Sequence, residues 1–274
     1  MINRSWDNDT DHPGLFSPSE IYHENSKVHP EDINYSMWIY HVSSSYEIRQ
    51  LISKPFDHYL GYPRVMLPRE FEPTQQSFED ILVSRRSVRH FSAESISLKS
   101  LSKILYLSGG ITTSLTAQDG VTWYLRPCPS GGGLYPIDLY LVALRVEDVP
   151  KGLYFYFPKD HCLEQVYTAD LTEKLNQATY QHETINSAAA VIVLCARFLR
   201  SKFKYLERAY RFVLLEAGHI AQNILLTSQA EGLGSLVVGG FADDILNEML
   251  RVDGVRDAVV YMVVIGKPLH TNSG

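Results

Sequence analysis

The stretch Pro129-Ser130-Gly131-Gly132-Gly133-Leu134-Tyr135-Pro136-Ile137-Asp138-Leu139-Tyr140-Leu141-Val142-Ala143-Leu144 joins three consecutive glycines to an apolar run, and its two halves together frame the fold. Residues 135–146 are rich in Leu, Tyr, Ile and Val and short enough for a buried strand. The turn before it supplies the Ser130 hydroxyl and bare backbone N–H groups, which a flat ligand could approach closely. A flexible surface turn is the alternative reading.

Downstream, Gly152-Leu153-Tyr154-Phe155-Tyr156-Phe157, the turn Pro158-Lys159-Asp160-His161 and residues 162–166 read as a hairpin. Residues 188–196 form another interior strand. The longest pattern runs over 203–230, with Leu206, Tyr210, Val213, Leu214, Ala217, Ile220, Ala221, Leu225 and Ser228 on one stripe, and predicts a long amphipathic helix. A strand over 233–238 ending in Gly239-Gly240, a helix over 243–250 and a closing strand over 258–266 complete this half.

Upstream, Phe78, Ile81 and Leu82 recur at helical spacing in a short helix tipped by Arg85-Arg86-Ser87-Val88-Arg89. Ser97-Leu98-Lys99-Ser100-Leu101 opens a second helix, through Ile104, Leu105 and Leu107, stopped by Gly109-Gly110. The order of elements predicts a mixed α/β or α+β sheet with helices packed on it. Residues 1–75, dense in Asp, Asn, Ser, His and Pro, read as a loop-rich N-terminal extension ahead of a domain over 76–274. Within it, Ile21-Tyr22-His23-Glu24-Asn25-Ser26-Lys27 reads as a short ordered segment and Met66-Leu67-Pro68 as an extended arm.

Composition narrows the function classes. A formal net charge of -6 over 274 residues leaves no basic surplus for a polyphosphate chain, so nucleic acid is not an expected partner. Cys128, Cys162 and Cys195 are far apart and form no C-x-x-C, which signals neither a zinc site nor a disulfide framework. Met1 to Thr10 is polar and acidic, unlike a secretory signal, and the longest apolar run, 188–195, falls far short of the ~20 residues that cross a bilayer. A cytoplasmic protein without a membrane partner is the expectation.

Chemistry can sit in three places. Arg85, Arg86, Ser87 and Arg89 offer guanidinium forks and a hydroxyl within one turn, suited to a phosphate dianion, or else form a solvated basic helix end. The Pro129-Ser130-Gly131-Gly132 turn matches neither G-x-x-x-x-G-K-[ST] nor G-x-S-x-G, and Gly232, Gly234 and Gly239 are mis-spaced for G-x-G-x-x-G. Lys204 and Tyr205, at the opening of the long helix, are a possible proton-transfer pair if an enclosed cavity holds both, and a solvated pair otherwise. His219, inside the apolar stripe, reads as a core histidine rather than a base.

Taken together, these stretches resemble the nitroreductase superfamily, and within it the azoline dehydrogenases of SagB/McbC type that act in peptide maturation. The specific part is Arg126-Pro127-Cys128-Pro129-Ser130-Gly131-Gly132-Gly133-Leu134-Tyr135-Pro136, close to that branch's R-P-x-P-S-G-G-x-L-Y-P signature. Phe203-Lys204-Tyr205, Tyr210-Arg211 and Glu216-x-Gly218-His219-x-x-Gln222-Asn223 add to it. The resemblance implies an α+β nitroreductase-like fold, with a central, mostly antiparallel sheet flanked by helices, forming a homodimer that binds FMN between subunits. It places Arg85, Arg86 and Ser87 at the phosphate and ribityl end and Arg89 at the N1 and O2 edge. Pro129, Ser130, Gly131 and Gly132 fall at the ring, and Val238, Gly239 and Gly240 near N5. Lys267 is left as the late phosphate contact, because the chain stops at Gly274 where many nitroreductases continue into a further basic arm.

The implied reaction oxidises peptide thiazolines or oxazolines to thiazoles or oxazoles, removing a ring proton and a hydride from its neighbour. Lys204 or Tyr205 is then the base, the pair titrating as a unit if the ammonium lowers the phenol's pKa. The implied partners are a second copy of the chain, a heterocyclised peptide and a cyclodehydratase complex or carrier domain. A generic NAD(P)H-dependent nitro- or quinone reductase and a non-catalytic flavin-binding scaffold subunit are the alternatives.

Overall fold

A computed structural model describes residues 17–54, 59 and 61–269. The polar start Met1 to Thr10 and the end at Gly274 lie outside the described residues.

In chain order the elements are α1 (Pro18–Asn25), α2 (Ile33–Ser44), α3 (Tyr46–Ile52), β1 (Arg64–Met66), α4 (Phe78–Ser84), α5 (Leu98–Gly109), β2 (Thr113–Thr116), β3 (Thr122–Leu125), β4 (Ile137–Ala143), β5 (Gly152–Phe157), β6 (Cys162–Thr168), α6 (Thr172–Ala178), α7 (His182–Ser187), β7 (Ala190–Arg197), α8 (Phe198–Tyr205), α9 (Ala209–Ala230), β8 (Gly234–Val238), α10 (Asp243–Leu250) and β9 (Asp257–Gly266). Seven strands form one sheet in the order β1-β6-β5-β4-β7-β9-β8, every pair antiparallel. The fold is thus the α+β arrangement expected, with the predicted β5–β6 hairpin closing through its 158–161 turn.

Both sheet faces are covered, which is why β4, β5 and β7 read as unbroken apolar runs instead of alternating ones. One face, including Leu139, Leu141, Ile192, Leu194 and Val263, packs on Ile104 and Leu105 of α5 and on Val213, Ala217, Ile220 and Ile224 of α9. The other, including Tyr140, Val142, Val191, Val193 and Val264, packs on Leu175 of α6 and Leu246 and Met249 of α10.

Two expectations are corrected. Residues 17–52 are largely helical rather than loop-rich, because the polar residues that suggest loops are caps. Ser17 forms a capping box with Glu20, and the Asp32 and Ser45 side chains accept from the backbone N–H groups of Tyr35 and Ile48. The long helix over 203–230 is broken: α8 ends at Tyr205, Leu206 takes a φ of 49°, and a 3-10 turn leads into α9. A break leaves helix-end carbonyls without intrahelical donors. The N-terminal segment packs on the break: Trp38 Nε1 donates to Phe203 O of α8 at 3.0 Å, and Tyr22 Oη donates at 3.2 Å to Glu207 O of the turn, which also accepts the Ala209 N–H. Arg211 reaches back to Ser26 Oγ at 2.8 Å and His23 O at 2.6 Å.

The β2–β3 hairpin escaped the sequence reading because its strands, Thr-Ser-Leu-Thr and Thr-Trp-Tyr-Leu, carry no buried stripe.

Candidate active site

The turn before β4 is built on left-handed backbone. Gly132 and Gly133 have φ of 66° and 65°, and Tyr135 follows at 44°. Ser130 Oγ accepts the Tyr135 N–H at 2.9 Å, and Ser130 O accepts the Gly133 N–H at 3.1 Å, so the hydroxyl and the carbonyl pin opposite ends of the turn.

What lies on this turn explains its glycines. A Cβ at Gly132 would fall 2.6 Å from Tyr205 Oη and 3.2 Å from Lys204 Nζ, and one at Gly131 would rest 3.4 Å from the Phe212 ring. The fold therefore joins two motifs more than seventy residues apart and leaves them backbone-close. Gly132→Ala is expected to cost about 1–2 kcal/mol from its left-handed backbone alone. It is also expected to displace Tyr205 and lower turnover at least tenfold; thermal melting and steady-state assays of the purified variant check both.

Lys204 and Tyr205 end α8 instead of opening a longer helix, and both are half-buried. Tyr205 meets Phe212 edge-on at 5.0 Å, and Lys204 Nζ lies 5.4 Å from the centre of the Tyr205 ring. Burial shifts the pair in opposite senses. Desolvation lowers the Lys204 ammonium below its ordinary value, whereas desolvation and then the Tyr35 phenol raise Tyr205.

A cleft of about 380 Å³ opens at Lys204 and the Gly132-Gly133 backbone. One wall comes from α2 and α3 through Ser43, Arg49 and Ile52, the other from the β2–β3 hairpin through Leu115, Trp123 and Leu125. Arg49 also pairs with Asp119 at 2.5 Å, tying α3 to the turn of that hairpin.

The arginine cluster lies elsewhere. Arg85 caps α4, and the chain then pairs with β8, Ser87 opposite Ser235 in a parallel bridge, while Val88 N–H donates to Ser235 O at 3.0 Å. Among the described residues Arg85, Arg86 and Arg89 form no ion pair, and Arg86 folds onto the carbonyls of Val83 and Arg85. Val238, Gly239 and Gly240 end the same strand β8, with open space where a Gly240 Cβ would stand. Lys267 is engaged by Glu94 at 2.9 Å.

The predicted residues thus fall into two groups. Arg85, Arg86, Ser87 and Arg89 sit with β8, near the C-terminal end of α9, where Gln229 Nε2 donates to Ser84 Oγ at 3.1 Å. Ser130, Gly131, Gly132, Lys204 and Tyr205 gather at the opposite end, against Phe212. Phe212 and Gln229 stand seventeen positions apart on α9, roughly 25 Å at the helical rise, so the two groups are anchored at opposite ends of that helix.

Two residues quoted in the sequence only as part of the resemblance, with no role, stand at this site. Glu216 stands one helical turn beyond Phe212 and is only 2% exposed. Its carboxyl lies beside the Ser130 hydroxyl and the Ile137 amide without a well-formed hydrogen bond to either. Burial, opposed by Ser130 and Arg126, pushes its pKa up to about 7. The signal was a lone acid within an apolar stripe. Arg126, also buried, lies over the Tyr135 ring at 4.9 Å. His219 is exposed rather than a core residue, because the buried stripe runs through Val213, Ala217, Ile220 and Ile224 and turns Leu214, Leu215, Gly218 and His219 outward.

Comparisons with known proteins agree with this architecture. The profile of the Nitroreductase family matches residues 82–267. A protein of Methanocaldococcus jannaschii that carries the nitroreductase name is 32% identical over 192 residues, covering 70% of this chain and 91% of that protein. The microcin B17-processing protein McbC of Escherichia coli is 34% identical over 134 residues, covering 47% of this chain and 49% of McbC. A crystal structure of an Anabaena variabilis protein, also named as a nitroreductase, superposes with a TM-score of 0.74 at 27% identity over 93% of this chain and 47% of its own. The chain therefore spans about half the length of McbC and of that crystallised protein.

Proposed function

As this chain belongs to the nitroreductase family, we propose that it is an FMN-dependent oxidoreductase that dehydrogenates thiazoline or oxazoline rings in a heterocyclised peptide. The observation that carries the reading is the contact of Lys204 Nζ and Tyr205 Oη with the Gly132 backbone in a walled cleft. The likeness to a microcin-processing protein supports a peptide substrate.

The residues present fit FMN. Among the described residues Arg85 and Arg89 have no ion-pair partner, and with Ser87 between them in the chain they offer the donor set a phosphate dianion takes. Arg86 and Ser87 serve the same end, while Lys267 must first release Glu94 to join them. Open space at Gly240, next to Val238 and Gly239, and the cleft at the Gly132 end of the Pro129, Ser130 and Gly131 turn are the surfaces we assign to the flat ring. FMN, when bound, supplies the hydride acceptor.

The chain's own groups do the rest. Lys204, its ammonium destabilised by burial, takes the ring proton; Tyr205, its phenol harder to ionise, orients the ring by hydrogen bonding. Helices α2 and α3 and the β2–β3 hairpin wall the cleft, so Ser43, Arg49 and Ile52 of the N-terminal extension form part of the active site. Because the two residue groups stand at opposite ends of α9, the complete site combines the arginines of one chain with the Lys204 end of a second. The exposed α9 face at Tyr210, Leu214 and Leu215 suits that homodimer contact. A cyclodehydratase complex or carrier domain presents the peptide.

The test is anaerobic. Purified protein loaded with FMN and mixed with a thiazoline-bearing peptide is expected to lose its visible absorbance within a turnover and regain it on admission of dioxygen. Bleaching by NADPH with none by the peptide would instead establish a generic reductase.

A further inference from the structure

Ser130 has one hydroxyl proton and two uses for it. Its oxygen already accepts the Tyr135 N–H at 2.9 Å, so the hydroxyl's own proton is free to donate. On its inner side lies the Glu216 carboxyl, 2% exposed, neither oxygen closed by a hydrogen bond. On its outer side is the glycine turn that lies against Lys204 and Tyr205. A buried carboxyl without well-formed hydrogen bonds is costly unless it has a task or a partner.

We propose that Glu216 is a positioning residue whose protonation state decides which way Ser130 donates: inward to the carboxylate when Glu216 is charged, outward to a polar ring edge on the turn when Glu216 is neutral. Charged Glu216 is an acceptor only and draws the Ser130 proton to itself. Neutral Glu216 carries its own proton, which it donates to the second lone pair of Ser130 Oγ, and the Ser130 proton is then released toward the cleft. No bond to carbon forms or breaks; a single solvent-derived proton on Glu216 redirects one hydrogen bond.

The surroundings make both states accessible. Burial opposes the carboxylate, while the Ser130 hydroxyl, Arg126, the Ile137 amide and Arg200 favour it, and the balance pushes its pKa up to about 7. Arg200 is also committed to Asp138 at 2.6 Å. Of the neutral neighbours, burial pushes the Cys128 thiol up to about 12 and raises the Tyr135 phenol; of the charged ones, burial lowers the Arg126 guanidinium while Asp138 and Glu216 hold it charged. Glu216 is the acid of this cluster placed to change charge near pH 7.

The inference rests on the reading that a flavin ring lies on this turn, and its test separates the two. Binding of FMN to the full-length protein is titrated by fluorescence quenching between about pH 5.5 and 8.5 for wild type, Glu216→Gln and Ser130→Ala. Wild type is expected to lose about tenfold in affinity as pH rises through about 7, the worth of one hydrogen bond. Glu216→Gln, with nothing to titrate, and Ser130→Ala, with no hydroxyl to redirect, are both expected to lose that step. Titration of the FMN phosphate is common to all three proteins and cancels in the wild-type-to-variant ratio. Glu216→Asp is expected to restore a step. The proposal is overturned if FMN binds but the ratio is flat, or if Ser130→Ala keeps the wild-type step. If FMN binds at no pH, the functional reading falls and the inference with it.

Discussion

Lys204→Ala is expected to bind FMN as tightly as wild type and to reduce it about 10²–10⁴-fold more slowly with an azoline peptide, the range lost when a positioned general base is removed. The expectation follows from opposite shifts at neighbouring residues. A base must be deprotonated in its resting state. Burial pushes Lys204 toward its neutral form and Tyr205 away from its anionic one. Tyr205→Phe is accordingly expected to cost less, about tenfold, through lost orientation. Anaerobic stopped-flow traces of flavin absorbance separate the two, and a larger loss in Tyr205→Phe than in Lys204→Ala would exchange their roles. The wild-type rate is expected to rise with pH through the lowered Lys204 pKa and then level off, an acid limb that Lys204→Ala should lack.

The second large effect is recovery of activity from two dead proteins. On the proposed roles Arg85→Ala removes the phosphate grip and Lys204→Ala the base, so each variant alone is expected to be inactive at limiting FMN. When the two are co-expressed, a mixed dimer in which sites combine residues from both chains has one site with both changes and one with neither. With random pairing, about a quarter of wild-type sites return. If each site drew Arg85 and Lys204 from the same chain, mixing would restore nothing. The roughly 25 Å along α9 argues for the first outcome. Activity of the tandem-tagged, purified heterodimer decides between them.

Much of this was readable along the chain. The apolar runs that became β4, β5, β7, β8 and β9 were found because both sheet faces are covered, which makes such strands hydrophobic throughout. The glycine turn was marked by composition, and the arginine cluster by charge. The ordered segment read at Ile21 to Lys27 falls on α1, whereas α2 and α3 were missed because their hydrophobic side chains are mostly exposed and their polar ones act as caps. The break at Leu206 was missed because leucine carries no turn signal; Trp38 and Tyr22, more than 160 residues away, donate to carbonyls on either side of it.

The sequence by itself determined the kinds of element and the residue types able to hold a phosphate, back a flat ring and move a proton, since periodicity and side-chain chemistry are local properties. Which of them meet was decided only by the tertiary structure. It set Lys204 and Tyr205 on Gly132, Glu216 beneath Ser130, and Arg85 at the far end of α9. Distance in space and burial are made by contacts between segments remote in the chain, and no local pattern encodes them.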